Sequence, residues 1–343
     1  MSAHLPEIIV WTSACRLPIA QRVIERLAGL ARLIGVSGDG DAQVQRWARQ
    51  ANVPFDDDPR RLLVSKPATY TLLMNAHDFP RPALMAALRN GTVLTVEPIA
   101  ARLDELLRPD EMPSPGRVID VPAFVDMPGW TSAADPLSAI APLRSMAISS
   151  FFQATECSLF ARLHEAWRLV VDCHGMPESI DASIAPQAPG HDLRTLRGHL
   201  TAHGRWADAA GVLIQLSDGT RGADLAEAGD RPAASTSAAP VDACHRVLHA
   251  VGDAGWLRVT DYDYELFDAT GRQVDRAPPT GMPPGFAEMI VTACAQLFRQ
   301  RFSPTAPPSR DQQVLACCQA TQLSARTNQP ENPRTILTLG GGR

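Results

Sequence analysis

Apolar positions in the first third of the chain come as short runs that alternate with helix-spaced sets. Ile8 to Trp11 is an unbroken apolar run, the pattern of a strand buried on both faces of a parallel sheet. Ile19, Val23, Ile24, Leu27 and Leu30 then recur at helical spacing with charges between them, which predicts a helix over Ile19 to Leu30. Leu33 to Val36 reads as a second strand and Ala42 to Ala51 as a second helix. After FDDDPRRLL come a strand near Tyr70 to Met74, a helix over Arg81 to Asn90 and a strand at Thr92 to Val96, with Gly91 in the place of a C-cap glycine. Repeated strand–helix alternation predicts a doubly wound parallel sheet, with ligands expected at the carboxyl ends of its strands.

The pattern changes after RPDEMPSPGRV, a proline-rich connector from Arg108 to Val118. Leu159 to Val171 is a strong helix pattern, and GMPESIDASI a turn entering a strand. Strand-like pieces come next in succession: LRGHLTAHGRWA, AAGVLIQLSD, CHRVLHAVGD and GWLRVTDYDYELFDATGRQVD. TRGADLAEAGDRPAASTSAAP between them reads as a long surface loop, and helices at Gly285 to Gln300 and Arg310 to Ala325 close the chain. The expected fold is therefore α/β: a Rossmann-like doubly wound domain over residues 1–120, then an α+β domain over 121–343 with a largely antiparallel open sheet. The final helices have the option of packing back on the first domain.

Composition narrows the functional classes. At 343 residues and a formal charge of -5, with no long basic stretch, the chain is not expected to bind nucleic acid. No apolar run is long enough to span a bilayer, and MSAHLPEIIVW lacks the basic-then-apolar form of a signal peptide. Seven cysteines without CxxC spacing suggest reduced thiols in the cytoplasm, with neither a disulfide framework nor a metal site. Lys66 is the only lysine, so lysine chemistry has one candidate.

The run ALRNGTVLTVEPIAARLDEL, the helix SLFARLHEAWRLVVDCHGMPESIDAS, the strands of GWLRVTDYDYELFDATGRQVD and the closing QVLACCQATQLSARTNQPENP together resemble the Gfo/Idh/MocA family of NAD(P)-dependent sugar oxidoreductases. The resemblance implies NAD or NADP as cofactor, a sugar-like substrate, and a homodimer or homotetramer formed through the second-domain sheet. It also implies four functional positions, and the chain departs from the family at each. The phosphate loop, glycine-rich in the family, reads Trp11-Thr12-Ser13-Ala14-Cys15-Arg16-Leu17-Pro18; Ser13 and Arg16 are left as side-chain candidates for phosphate. The acid that bonds the ribose falls at Gly38, with Asp39 next to it in a turn-forming SGDGD.

The Glu-Lys-Pro triplet of the family becomes Val96-Glu97-Pro98, so Glu97 stands where a cation is expected and reverses its sign, while Pro98 keeps the turn. On the second-domain helix the histidine-bearing pattern falls on Ala161, Glu165 and Arg168, with His164 one residue, about 100° of helix, away. Glu165 is a candidate base and Arg168 a candidate anion clamp; the competing expectation is an amphipathic helix with a charged, solvated face. His199 and His203 fall on one face of a strand. Two functions stand from this: an oxidoreductase of impaired chemistry that still takes a nucleotide or sugar, or a non-catalytic binding, regulatory or interaction protein on the same scaffold, with no cofactor.

Overall fold

The computed structural model describes residues 5–106, 117–153, 156–186, 190–219, 245–277, 285–299 and 308–340. The long loop predicted between the second-domain strands and most of the proline-rich connector lie outside these residues. The chain divides into two compact units: Met1–Ala100, Leu106–Ala123 and Phe286–Thr305 form one, and Ala101–Glu105, Phe124–Gly285 and Ala306–Arg343 the other.

The first unit is built on a parallel sheet of six strands: β1 (Glu7–Trp11), β2 (Arg32–Ser37), β3 (Phe55–Asp56), β4 (Tyr70–Leu73), β5 (Thr92–Thr95) and β6 (Arg117–Asp120), in the order β3-β2-β1-β4-β5-β6. That order reverses between β1 and β4, the switch point at which open α/β sheets bind ligands. The helices are α1 (Leu17–Leu27), α2 (Ala42–Gln50), α3 (Pro59–Ser65) and α4 (Arg81–Asn90). Asp41 and Asp58 start α2 and α3 by accepting from the amides of Gln43 and Arg60. Gly91, after α4, has extended backbone (φ 177°); glycine is needed there because an added Cβ would lie 2.1 Å from the carbonyl oxygen of Thr69. A later helix, which we label α7 (Phe286–Arg299), completes this unit: Glu288 pairs with Arg26 at 3.1 Å, and Phe298 lies 4.6 Å from the Tyr70 ring.

The second unit carries α5 (Pro128–Ala139), α6 (Leu159–His174) and an eight-stranded sheet in the order β14-β13-β12-β11-β7-β10-β9-β8. The strands are β7 (Leu143–Phe151), β8 (Ser179–Ala185), β9 (His199–Arg205), β10 (Gly211–Ser217), β11 (His245–Gly252), β12 (Gly255–Thr260), β13 (Tyr264–Asp268) and β14 (Gln273–Ala277). Only β7 and β10 pair in parallel; the other neighbours are antiparallel. Burial alternates along β9 and over most of β10, so one face packs inward there, while in β11 Arg246, Val247 and Leu248 are all buried.

Two further helices, α8 (Pro308–Thr327) and α9 (Pro333–Gly340), end the described chain; the sequence pattern predicts only the first of them. Inside α8, Thr321 Oγ1 accepts from Trp167 Nε1 at 2.9 Å and Ser324 Oγ accepts from the Ala182 amide of edge strand β8 at 2.9 Å. Glu331 then exchanges two main-chain hydrogen bonds of 2.8 Å with Ile180 of the same strand.

Candidate functional site

The turns after β1, β4 and β5 shape the carboxyl edge of the first sheet. After β1 the chain turns through Thr12 to Arg16 into α1, with Pro18 in its first turn and no side chain capping the helix start. The amides in this turn are largely spoken for. Thr12 N donates to the Ser37 carbonyl at 3.1 Å, Arg16 N to that of Ser13 at 3.2 Å and Leu17 N to that of Ala14 at 3.3 Å. Ser13 N and Ser13 Oγ both donate to Asn75 Oδ1, at 3.3 and 3.0 Å, and the Asn75 carbonyl accepts from Trp11 Nε1 at 3.1 Å. Asn75, just beyond β4, thus ties the β1 turn to the switch point. Sequence reasoning missed this residue, because no motif marks it.

Arg16 folds its guanidinium inward. Its Nη2 donates to Glu97 Oε1 at 2.7 Å, and the two side chains are only 7% and 6% exposed. Arg16 Nη1 is buried and finds no hydrogen-bond acceptor among the described residues. Glu97 sits in the turn after β5, where Thr95 Oγ1 holds its carbonyl and Pro98 is buried beside it. The sign reversal expected at Glu97 is therefore neutralised on the spot, and Arg16 faces an internal carboxylate. A phosphate loop works by offering free amides and an open approach; here much of that hydrogen-bonding capacity is already used within the protein.

The other first-unit candidates lie apart from this pair. Gly38 is buried, and an added Cβ there would come within 2.5 Å of the Thr12 carbonyl oxygen. Asp39 is exposed and accepts from the Asp41 amide at 3.4 Å within its own turn. Lys66 lies in the segment entering β4, on the amino edge of the sheet opposite to Glu97, beside Glu7, Arg32 and Asn52.

In the second unit, α6 carries the remaining candidates. Glu165 Oε1 accepts from the Phe124 amide at 2.8 Å and from Arg246 Nη1 at 2.5 Å, and its Oε2 accepts from Arg162 Nη1 at 2.6 Å. Arg246, on β11, continues to Asp261 through Nε at 2.7 Å and Nη2 at 2.5 Å, and lies over the Phe124 ring. Arg162 Nε donates to Cys157 Sγ at 2.9 Å. Burial pushes the Asp261 carboxyl up, against the pull of Arg246.

This corrects the expectation of a solvated, charged helix face: Arg162 and Arg246 are each 3% exposed, and the charges are turned onto the sheet. The helix pattern looked amphipathic because the sequence does not show that β11 supplies a matching arginine. A cavity of about 20 Å³, the room of one water molecule, lies against Arg162, Glu165, Arg246 and Ser150, whose buried Oγ has no hydrogen-bond partner among the described residues. Glu165 would have to give up ion pairs before it could take a proton. His164 is half-buried, its ring 6.1 Å from Phe160, and Arg168 is half-buried on the same helix. His199 and His203 project from the open face of β9.

No group of three or more histidine, cysteine or acidic side chains among the described residues is placed to hold a metal, and no described helix is long and apolar enough to cross a membrane.

Strand order and connectivity define a Rossmann-type α/β unit followed by an α+β unit with an open sheet. No protein-family model matches the chain. No curated protein matches it either. Solved structures match along nearly its whole length. Levoglucosan dehydrogenase in its apo form has a TM-score of 0.69 at 11% identity, over 96% of this chain and 99% of that one. An oxidoreductase from Agrobacterium radiobacter, solved with NAD+, L-tartaric acid and magnesium, has a TM-score of 0.66 at 12% identity, over 97% and 100%. An oxidoreductase from Thermotoga maritima has a TM-score of 0.65 at 13% identity, again over 97% and 100%. These are oxidoreductases of the Gfo/Idh/MocA type, and this chain has their fold.

Proposed function

We propose that the chain is a divergent Gfo/Idh/MocA-type protein that takes a sugar- or polyol-like ligand and no longer transfers hydride to NAD(P). The observation that carries this reading is the buried Arg16–Glu97 pair, which stands on the carboxyl edge of the sheet where a dinucleotide would lie. The engaged amides of Thr12, Ser13, Arg16 and Leu17 support it. The ligand class rests on the fold shared with levoglucosan dehydrogenase. The protein acts in the cytoplasm, in keeping with its free cysteines, and assembles as a homodimer or homotetramer through the open face of its second sheet.

The test is a titration of the purified protein with NADH and NADPH, monitored by nicotinamide fluorescence. The expected outcome is no saturable binding below about 1 mM. Micromolar binding sinks the reading.

A second reading is favoured by the NAD-bound members among the similar structures. In it the Arg16–Glu97 pair opens, Ser13, Arg16, Asp39 and Pro98 meet the cofactor, and His164, Glu165 and Arg168 of the second unit serve the sugar. Cofactor-dependent turnover of a sugar by the wild-type chain, lost in Glu165→Gln with NADH binding intact, would establish it.

A further inference from the structure

Four of the nine histidines of the chain project from one face of the eight-stranded sheet. The register sets them in a frame. One row across four strands reads His245, Phe151, Ser217, His199; a second, four residues along, reads His249, Ala147, Leu213, His203. The row between them is Val247, Ser149, Gln215, Thr201. At strand spacings of ~4.8 Å and ~3.3 Å per residue, the frame measures roughly 14 by 13 Å. Inside it no side chain is charged: Val247 and Ser217 are buried, Gln215 is exposed, and Phe151 at the margin is 51% exposed. A charge-poor, flat centre with an aromatic at its margin matches the core of an interface better than a free surface.

The occupant the face fits is a second copy of the chain. Six strands from β12 to β8, each about seven residues long, span about 500 Å² of flat sheet, before side-chain relief is counted, against ~800 Å² of accessible surface per partner in a standard interface. A flat sheet face meets its own copy readily, because a two-fold interface needs only to complement itself. Imidazole is the side chain that gains its charge between pH 8 and pH 5, roughly the range over which the frame would turn from neutral to cationic.

We propose that this open sheet face is a self-association surface released by acid, with His199, His203, His245 and His249 as the trigger. The inference rests on the sheet-face assembly stated under Proposed function, and adds its regulation.

Among the described residues, few charged groups face the frame. Arg258 of β12 lies directly across from His249, and its guanidinium has Glu265 of β13 at 3.3 Å and Asp263 at 3.7 Å. Asp181 of β8 lies across from His203, and Arg205 is the last residue of β9. His199 faces Ser217 and Ala185, and His245 faces Phe151. Burial and then Arg258 hold His249 below the ordinary imidazole value. Covering the face removes more water from all four rings, so assembly favours their neutral forms. Association is then expected to weaken as pH falls through the range in which imidazole gains its charge.

Sedimentation of the full chain at about pH 8 and about pH 5.5, with circular dichroism at both, tests this. The expected result is a dimer at the higher pH whose Kd rises at least ~100-fold at the lower, with the fold retained. The variant with all four histidines changed to Gln is expected to stay dimeric, its Kd changing by less than about threefold. A wild-type Kd that ignores pH, or a four-glutamine variant that dissociates as the wild type does, overturns the inference and leaves the assembly reading standing. A monomer at the higher pH, or a dimer there that survives Phe151→Glu, overturns the assembly reading itself and the inference with it.

Discussion

The carboxyl edge of the first sheet and the inner face of α6 both keep charges out of water, but they do so on different scales. The edge holds one cation against one anion, Arg16 and Glu97, bridging two turns. The α6 face holds two cations and two anions, with Arg246 shared between Glu165 and Asp261 and with Arg162 on the far side of Glu165. On the function proposed above, the buried pair at the edge fills a place that a ligand would otherwise take. An interlocked set joins a helix to a strand and to the turn after another strand. Pairing thus occupies charged side chains in both units, between two turns in one and between a helix and a sheet in the other.

The comparison breaks most sharply at its shared member. Arg246→Met leaves Glu165 and Asp261 short of a partner in a buried setting, with an expected loss of about 4 kcal/mol on urea unfolding; a loss under about 1 kcal/mol would show that the network contributes little. The edge pair should respond less. Glu97→Leu strands the Arg16 charge and costs about 3 kcal/mol, whereas Arg16→Met with Glu97→Leu falls within about 1.5 kcal/mol of wild type. Equal losses in the single and double variants would mean that Arg16 and Glu97 do not act as a pair.

Gly38→Ala probes how closely β2 approaches the β1 turn. The added carbon would meet the Thr12 carbonyl oxygen at 2.5 Å, and the expected cost is about 2 kcal/mol in the same assay. The smallest effect concerns pH. Asp261 is raised from its ordinary 3.8 by burial, so the folded state holds that proton more tightly than the unfolded chain. Its contribution is fully present below 3.8 and is lost as pH rises through the folded value. The stability of wild type measured against Asp261→Asn should therefore fall as pH climbs above 3.8; a rising difference contradicts the assignment.

The strand–helix alternation of the first unit was legible because its buried strands are apolar runs, as at Ile8 to Trp11 and Thr92 to Thr95. The short strands β3 and β6 were not, since Phe55–Asp56 and Arg117–Asp120 carry too few apolar residues to stand out. β7 is the more instructive omission. It lies between β11 and β10 in the larger sheet, yet its inward side chains are Met146, Ile148 and Ser150, and its outward ones are mostly small. Alternation of that kind is too faint to read without knowing its neighbours.

At the site, the altered positions themselves were visible in the sequence. Their partners were not: Arg16 meets Glu97 across 81 residues, and Arg246 meets Glu165 across the same separation. A pairing over such distances is set by the meeting of strand ends, which no local pattern records.

The closing of strand β8 by Ser324 and Glu331, and of the first unit by α7, bears on how the chain is made. Synthesis proceeds from the amino end, and domains usually fold as they emerge. Here the first unit includes Phe286–Arg299, far along the chain, and the β8 edge of the second sheet is met by Ser324 and Glu331, later still. An unpaired strand edge is where a nascent chain sticks to its neighbours. A chain truncated before Ser324 should therefore expose the β8 edge and aggregate more readily than the full chain.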